Sequence, residues 1–134
     1  MRDVQQKVVI CGGGGFIGGH LVSDLLRKGF DVRCVDVKPL DQWYQVHGDA
    51  ENVVADLNLR EQAFDAVKGM DVVYNLACNM GGMGFIELNK GLCMISVLIN
   101  THLLMGAREH GIKRFFYASS ACVYNADKQR EKKR

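Results

Sequence analysis

The feature that most constrains the fold is a glycine-rich segment near the start of the chain. An apolar run ends at Cys11, and Gly12, Gly15 and Gly18 follow with the spacing G-x-x-G-x-x-G. Residues 16–28 then have the apolar periodicity of an amphipathic helix. The pattern predicts a buried strand over residues 7–11, a tight glycine turn and a helix, in that order.

Such a turn is a candidate binding site for the pyrophosphate of a dinucleotide. The N–H groups of Phe16, Ile17 and Gly18 at the start of the helix have no carbonyl partner within it, so they can bind an anion. A loop with spare glycines is the alternative interpretation. The apolar strand before the turn and the helix after it favour the phosphate site.

An acidic residue follows at a distance that agrees with this interpretation. Residues 31–36 are predicted to form a second strand, and Asp36 at its end lies 18 residues beyond Gly18. A carboxylate at this place can bind the adenosine ribose hydroxyls. An ordinary aspartate at a strand end is the alternative. The carboxylate favours NAD over NADP because it repels a 2′-phosphate, although Lys38 could approach one.

Strands and helices alternate along the rest of the chain. The apolar strands and periodic helical segments predict an α/β fold, a doubly wound parallel sheet of the Rossmann type with about five strands. The predicted elements are strands over 52–55, 71–76 and 113–118, a loop over 39–49, a short helix over 60–68 and a long helix over 85–110 that ends at Gly111.

Ligands of such sheets bind at the carboxyl ends of the strands, so the residues that follow each strand are candidates. Asp56 and Leu57 follow the third strand. The Asp56 carboxylate could accept a hydrogen bond from the adenine amino group or cap the next helix, and both roles stay open. Leu76 and the small Ala77 follow the fourth strand, where a cofactor could pass close to the backbone.

Two later segments carry candidate substrate chemistry. Gly81, Gly82 and Met83 belong to a glycine- and methionine-rich loop, which we interpret as lining a substrate rather than as a plain connector. Ser120 and Cys122 follow the fifth strand, where a hydroxyl can hold a substrate oxygen and a thiol can exchange a proton. A small buried cysteine is an equally good interpretation of Cys122.

Composition limits the partners. Apolar residues make up 48% and charged residues 24% of the 134 positions, as in an ordinary soluble domain. The net charge is +2, but residues 126–134 carry five basic and two acidic side chains. The rest of the chain is therefore close to neutral, which argues against nucleic acid as a partner.

The cysteines and the apolar runs indicate the compartment. Five scattered cysteines without zinc-ligand spacing predict a reduced, cytoplasmic protein with no metal. No apolar run approaches about 18 residues, and the polar start lacks the core of a signal peptide, so we expect no membrane partner.

Three motifs together resemble the extended short-chain dehydrogenase/reductase family. They are G-G-G-G-F-I-G, N-L-A-C-N-M-G-G-M-G-F-I and R-F-F-Y-A-S-S-A-C-V-Y, and the similarity runs from Lys7 to Tyr124. The first motif is shared across that family, and the other two are more selective. Within the family they most resemble the GDP-mannose 3,5-epimerases and related nucleotide-sugar epimerases and dehydratases.

The resemblance implies NAD as cofactor and a nucleotide sugar, most simply a GDP-hexose, as substrate. It implies that the glycine turn and Asp36 bind NAD, that Asp56 lies near the adenine, and that Gly81 and Gly82 lie beside the sugar. Ser120 matches an active-site serine or threonine. The implied reaction is a transient oxidation of the sugar at C4 with proton exchange at C3 and C5.

The same resemblance implies that Cys122 is the acid/base of those proton steps. The family's catalytic Tyr-x-x-x-Lys pair, by the same resemblance, lies a few tens of residues past the S-S-A-C-V-Y segment. Tyr124 and Lys128 have this spacing, but they stand directly at that segment and do not match the pair's position. We therefore expect residues 1–124 to be the NAD-binding part of such an enzyme, inactive alone, followed by a disordered basic tail over 125–134. The alternative is a non-catalytic dinucleotide-binding module, a redox sensor or interaction domain.

An unpaired edge near the third or fifth strand predicts self-association, for example as a homodimer.

Overall fold

The computed structural model describes residues 6–77 and 90–117, with the backbone alone for residues 90–96. The elements are β1 (Lys7–Cys11), α1 (Phe16–Arg27), β2 (Asp31–Asp36), a 3-10 turn (Leu40–Gln42), β3 (Glu51–Val54), α2 (Arg60–Val67), β4 (Val72–Asn75), α3 (Lys90–Glu109) and β5 (Arg114–Tyr117).

The described strands form one parallel sheet in the order β3-β2-β1-β4-β5. The chain therefore starts at the centre, builds outward through β2 and β3, and returns to the other side of β1 for β4 and β5. The prediction of a doubly wound Rossmann-type sheet is confirmed. Within the described sheet β3 and β5 are the outer strands, the two places where the sequence predicted an unpaired edge.

Both faces of the sheet are covered, which explains why β1 is apolar at nearly every position. Alternate side chains of a strand point to opposite faces, so Val8 and Ile10 pack against α1 while Val9 and Cys11 pack toward α2 and α3. Burial on both sides fixes β1 as the rigid base of the turn that follows it.

The described ends of β1 and β2 match the predicted ends, and those of the other elements differ from them by at most one residue, apart from the start of the long helix. The third strand ends at Val54 rather than at residue 55, because the chain turns away there, although the Ala55 N–H still donates to the carbonyl of Asp36 at 3.0 Å. Residues 85–89 of the predicted long helix and the predicted tail over 125–134 lie outside the described residues.

The predicted loop over 39–49 is more ordered than its polar composition indicates. It contains the 3-10 turn, and Trp43 is buried with its indole N–H donating to the Lys38 carbonyl at 2.7 Å. The Tyr44 N–H donates to the Gly14 carbonyl at 2.9 Å, so this segment packs directly against the glycine turn.

The predicted end of the long helix is confirmed. Gly111 has a φ of +67°, and the Ile112 N–H reaches back to the Ala107 carbonyl at 2.9 Å. This is the glycine-terminated pattern that satisfies the last carbonyls of a helix. No helix in the described part of the chain, α3 included, is long and apolar enough to cross a membrane.

Arg33 ties β2 to the end of α2. Its Nη1 atom donates to the carbonyl oxygens of Asp65, Ala66 and Lys68 at 3.3, 2.8 and 3.0 Å, and its Nε donates to Glu51 at 3.0 Å. A cation at the carboxyl end of a helix opposes the partial negative charge there. The planar guanidinium reaches four acceptors at once, which a lysine cannot do.

We predict that Arg33→Lys lowers the free energy of unfolding by about 1–3 kcal/mol, because several hydrogen bonds to a charged group are lost. Arg27→Lys is the matched control, since Arg27 makes an exposed ion pair with Asp24. Urea denaturation of both variants measures the difference. A similar loss in the two variants would contradict the capping role of Arg33.

Candidate functional site

The carboxyl ends of β1, β2, β3 and β4 surround a cleft of about 290 Å³. This volume is near the lower end of the range of about 300–1,000 Å³ for small-molecule sites. The cleft contains seven of the residues predicted from the sequence: Gly12 and Gly15 from the glycine turn, Asp36 from β2, Asp56 and Leu57 after β3, and Leu76 and Ala77 after β4.

The glycine turn is fixed by contacts with both neighbouring strands. Gly12 has a φ of +85°, and its N–H donates to the Val35 carbonyl at 2.7 Å. A side chain at Gly12 would place its Cβ 2.7 Å from the backbone nitrogen of Ala77. The backbone segments after β1 and β4 are therefore so close that only a glycine fits.

Gly18 and Gly15 are glycines for different reasons. A Cβ at Gly18 would lie 2.5 Å from the Gly12 carbonyl oxygen and 2.6 Å from the Cα of Gly13, so packing of α1 against the turn requires glycine. A Cβ at Gly15 would meet only the Gly12 oxygen, at 3.5 Å. The protein's own packing does not demand a glycine at position 15, and the missing side chain leaves space in the cleft.

The N-terminus of α1 is open to an anion. Gly15 is the residue before the helix and supplies no side-chain cap, and the first turn contains no acidic residue. The side chains of Phe16 and Ile17 are 60% and 70% exposed, while Gly18 is buried against the turn. The first N–H groups and the positive end of the helix dipole therefore have no anionic partner within α1.

Asp36 is buried beside this turn, with 8% of its surface exposed. Its Oδ2 atom accepts the Gly14 N–H at 3.0 Å, and its Oδ1 accepts the Lys38 N–H at 3.1 Å. A carboxylate has about four acceptor positions, so each oxygen can accept a further donor. Asp36 thus links β2 to the glycine turn and faces the cleft with unused acceptor capacity.

The alternative role of Asp56 as a helix cap is wrong. The residue that precedes α2 is Leu59, and no side chain caps this helix. The Asp56 Oδ1 atom instead accepts the backbone N–H and the side-chain amide of Asn58, each at 3.0 Å. The Asp56 carboxylate lines the cleft rather than the start of α2.

The segment after Asp56 is held by α3. His102 lies with Nδ1 3.3 Å from the Leu57 carbonyl oxygen. Asn75, buried at the end of β4, donates to the side-chain oxygen of Asn100 at 3.0 Å and accepts the Ala77 N–H at 3.0 Å. One helix therefore fixes two of the loops that form the cleft.

The cysteines of β1 and β2, Cys11 and Cys34, are buried in the core. Burial raises the pKa of the Cys11 thiol from 9.0 to about 12, with the nearby Cys34 as the second cause. Burial also raises the pKa of Cys34 to about 12, with a smaller contribution from Asp36. Thiols with such a pKa are protonated at neutral pH and act as small apolar residues.

The structure does not test the predicted substrate and proton-transfer residues. Gly81, Gly82, Met83, Ser120 and Cys122 lie outside the described residues, so their positions relative to the cleft stay predictions. In the segments that are described, no group of three or more His, Cys, Asp and Glu side chains could hold a metal ion.

Sequence reasoning missed four residues of the cleft, which are Val37, Ala55, Asn58 and Ile99. Asn58 carries a usable signal, because an aspartate side chain commonly accepts the backbone N–H of the residue two positions later, which places Asn58 beside Asp56. Ile99 gives none, since its place depends on how α3 packs over the loops.

We predict opposite results for the same substitution at two glycines of this turn. Gly18→Ser lowers the free energy of unfolding by about 1–3 kcal/mol, because the new side chain collides with backbone. Gly15→Ser changes it by less than about 0.5 kcal/mol or raises it, because serine fits and can cap α1. Thermal and urea denaturation measure both values. A large loss at Gly15, equal to that at Gly18, would contradict this description of the turn.

Comparison with known proteins gives a consistent result. The sequence model of the NAD dependent epimerase/dehydratase family matches residues 8–134. A GDP-mannose 3,5-epimerase of Arabidopsis thaliana is 40% identical over 126 residues, which are 93% of this chain and 33% of that protein. The chain thus spans about a third of the length of such relatives.

Solved structures share the fold. A UDP-galactose 4-epimerase superposes with a TM-score of 0.76 and 31% identity, over 91% of this chain and 41% of that one. The UDP-glucose 4-epimerase of Thermus thermophilus, a complex with NAD, gives a TM-score of 0.74 and 26% identity, over 86% and 38% of the two chains.

Proposed function

Since the chain belongs to the NAD dependent epimerase/dehydratase family, we propose that its described residues bind NAD for a nucleotide-sugar epimerase or dehydratase. One observation carries the proposal. The uncapped N-terminus of α1 and the buried carboxylate of Asp36 both lie against the same glycine turn, at one cleft. A positive helix end and an acceptor at this spacing suit a pyrophosphate and a ribose.

The residues would suit NAD in four places. The N–H groups of Phe16, Ile17 and Gly18 would bind the pyrophosphate, and the space at Gly15 would let it approach the backbone. Asp36 would accept the ribose hydroxyls, and the segment Asp56-Leu57 would lie at the adenine. Leu76 and Ala77 would flank the path toward the nicotinamide. Bound NAD would supply reversible hydride transfer at a sugar carbon.

Charge favours NAD over NADP in this cleft. The buried Asp36 carboxylate would repel a 2′-phosphate, and few mobile solvent ions can screen a buried charge. Lys38 also lines the cleft and is the one cation among the described residues of its wall. Its backbone N–H donates to Asp36, and its side chain is the charge in the cleft wall that would oppose this repulsion.

For the substrate we propose a nucleotide sugar, most simply a GDP-hexose. The support is the similarity to a protein named GDP-mannose 3,5-epimerase and the selective motifs around Gly81–Met83 and Ser120–Cys122. In this proposal Gly81, Gly82 and Met83 line the sugar. Ser120 holds a substrate oxygen and Cys122 moves a proton during exchange at C3 and C5.

A second candidate function is a dinucleotide-binding module without catalysis. The observation that favours it is that the one Tyr-x-x-x-Lys spacing in the sequence, Tyr124 to Lys128, stands directly at the S-S-A-C-V-Y motif rather than a few tens of residues after it. In both cases these 134 residues would bind NAD without turning over a sugar. The first candidate additionally requires that a nucleotide sugar bind in the presence of NAD.

Cytoplasmic location and self-association through an outer strand stay predictions.

We predict saturable NAD binding to the purified chain in a calorimetric titration, with weaker binding of NADP. Asp36→Ala should weaken NAD binding at least tenfold, because it removes a charged acceptor of the ribose hydroxyls. Asp41→Ala removes the same charge from an exposed position in the 3-10 turn and should leave binding unchanged.

Circular dichroism of each variant separates lost binding from lost folding. A folded wild-type chain that binds neither dinucleotide would overturn the proposed function. Equal weakening by Asp36→Ala and Asp41→Ala would show that only general charge is involved and would remove Asp36 from the site.

A further inference from the structure

We propose that Asn58 is a positioning residue that fixes the orientation of the Asp56 carboxylate and thereby makes the cleft selective for adenine. The inference rests on the proposed function and deepens it, since it assigns how the base of the dinucleotide is recognised. It concerns the juxtaposition of Asp56, Asn58 and Gln62 at the start of the segment between β3 and α2.

Three hydrogen bonds fix Asp56. The backbone N–H and the side-chain Nδ2 of Asn58 both donate to the same carboxylate oxygen, Oδ1, at 3.0 Å each. The Asp56 N–H donates to the Gln62 Oε1 atom of α2 at 2.7 Å. The backbone and one side-chain oxygen of Asp56 are therefore both held, so rotation of the carboxylate is restricted.

The two oxygens of the Asp56 carboxylate therefore differ in their hydrogen bonds. Oδ1 is used by Asn58, whereas Oδ2 takes part in none of the hydrogen bonds seen in the described segments. Asp56 is half-buried and lines the cleft together with Leu57 and Asn58. One carboxylate oxygen of fixed orientation is thus available to a donor that enters the cleft.

The orientation of the Asn58 amide follows from Asp56. The Asn58 Oδ1 atom is buried and has no hydrogen-bond partner among the described residues. A buried acceptor without a partner costs about 1–3 kcal/mol, so this orientation does not serve Asn58 itself. Reversing the amide would place two oxygens against each other, which is why the nitrogen faces Asp56.

A fixed acceptor discriminates between bases by their exocyclic group. The amino group of adenine donates a hydrogen bond, whereas the carbonyl oxygen of hypoxanthine at the same position accepts one. An acceptor aimed at that position would bind the first and repel the second. Removal of a partner in such a pair leaves a charged group unsatisfied, and the penalty corresponds to about tenfold or more in affinity.

The arrangement also predicts what an amide would do at position 56. In Asp56→Asn, the two donors of Asn58 would hold the oxygen of the new amide in the place of Oδ1. Its NH₂ group would then occupy the place of Oδ2 and offer a donor to the cleft. The preference should reverse toward hypoxanthine, and the reversal should depend on Asn58.

The test compares NAD with nicotinamide hypoxanthine dinucleotide in calorimetric titrations of the full chain. We expect the wild type to bind NAD about tenfold more tightly and Asp56→Asn to invert the ratio. Asn58→Ala should reduce the ratio to about threefold, because the side-chain donor is lost while the backbone N–H at position 58 remains. In the double variant Asp56→Asn with Asn58→Ala the inversion should be reduced in the same way. Asn52→Ala is the matched control, because Asn52 makes two local hydrogen bonds from its amide but does not line the cleft.

The outcomes separate this inference from the proposed function. If the folded wild type binds neither dinucleotide, the proposed function fails and this inference fails with it. If the wild type binds both equally, or Asn58→Ala weakens both by the same factor, the cofactor site stands and the positioning role is overturned. A changed ratio in Asn52→Ala equal to that in Asn58→Ala would also overturn it.

Discussion

The close approach of backbone to backbone at the glycine turn is the constraint on which the site depends. Gly18 lets the first turn of α1 lie against Gly12 and Gly13, and Gly12 lets the turn lie against the segment after β4. Because no side chain intervenes at either contact, the helix begins directly at the carboxyl edge of the sheet. The free N–H groups at its start are thereby placed next to Gly15, which lines the cleft.

The acidic side of the cleft depends on the same turn. Asp36 accepts the Gly14 N–H through one oxygen and the Lys38 N–H through the other, so the end of β2 and the turn stabilise each other. The loop with Trp43 and Tyr44 covers the outside of the turn. A carboxylate that is held in this way needs no rearrangement to accept a ligand, and its remaining acceptor positions face the cleft.

The sequence predicted the parts whose signal is local. The glycine spacing, the acid at Asp36 and the helix end at Gly111 follow from short-range rules, and the strand and helix alternation predicted the sheet. The burial of Trp43 in a polar segment and the presence of Ile99 in the cleft could not be predicted, because both depend on tertiary packing. The role of Asp56 stayed open in the sequence because an aspartate before a helix suits a cap and a ligand equally well. The structure excludes the cap, because Leu59 precedes α2 and the Asp56 carboxylate accepts from Asn58, while the ligand role stays a prediction.

The central claim is that the start of α1 binds the pyrophosphate of a dinucleotide, and amide chemical shifts of the ¹⁵N-labelled chain measure it most directly. On titration with NAD, we expect the largest shifts for the N–H groups of Phe16, Ile17 and Gly18, with smaller shifts near Asp36. Residues of the distant groove between α2 and α3, such as Phe64, should not respond. Saturable binding that leaves the amides of the first turn of α1 unmoved would contradict the account.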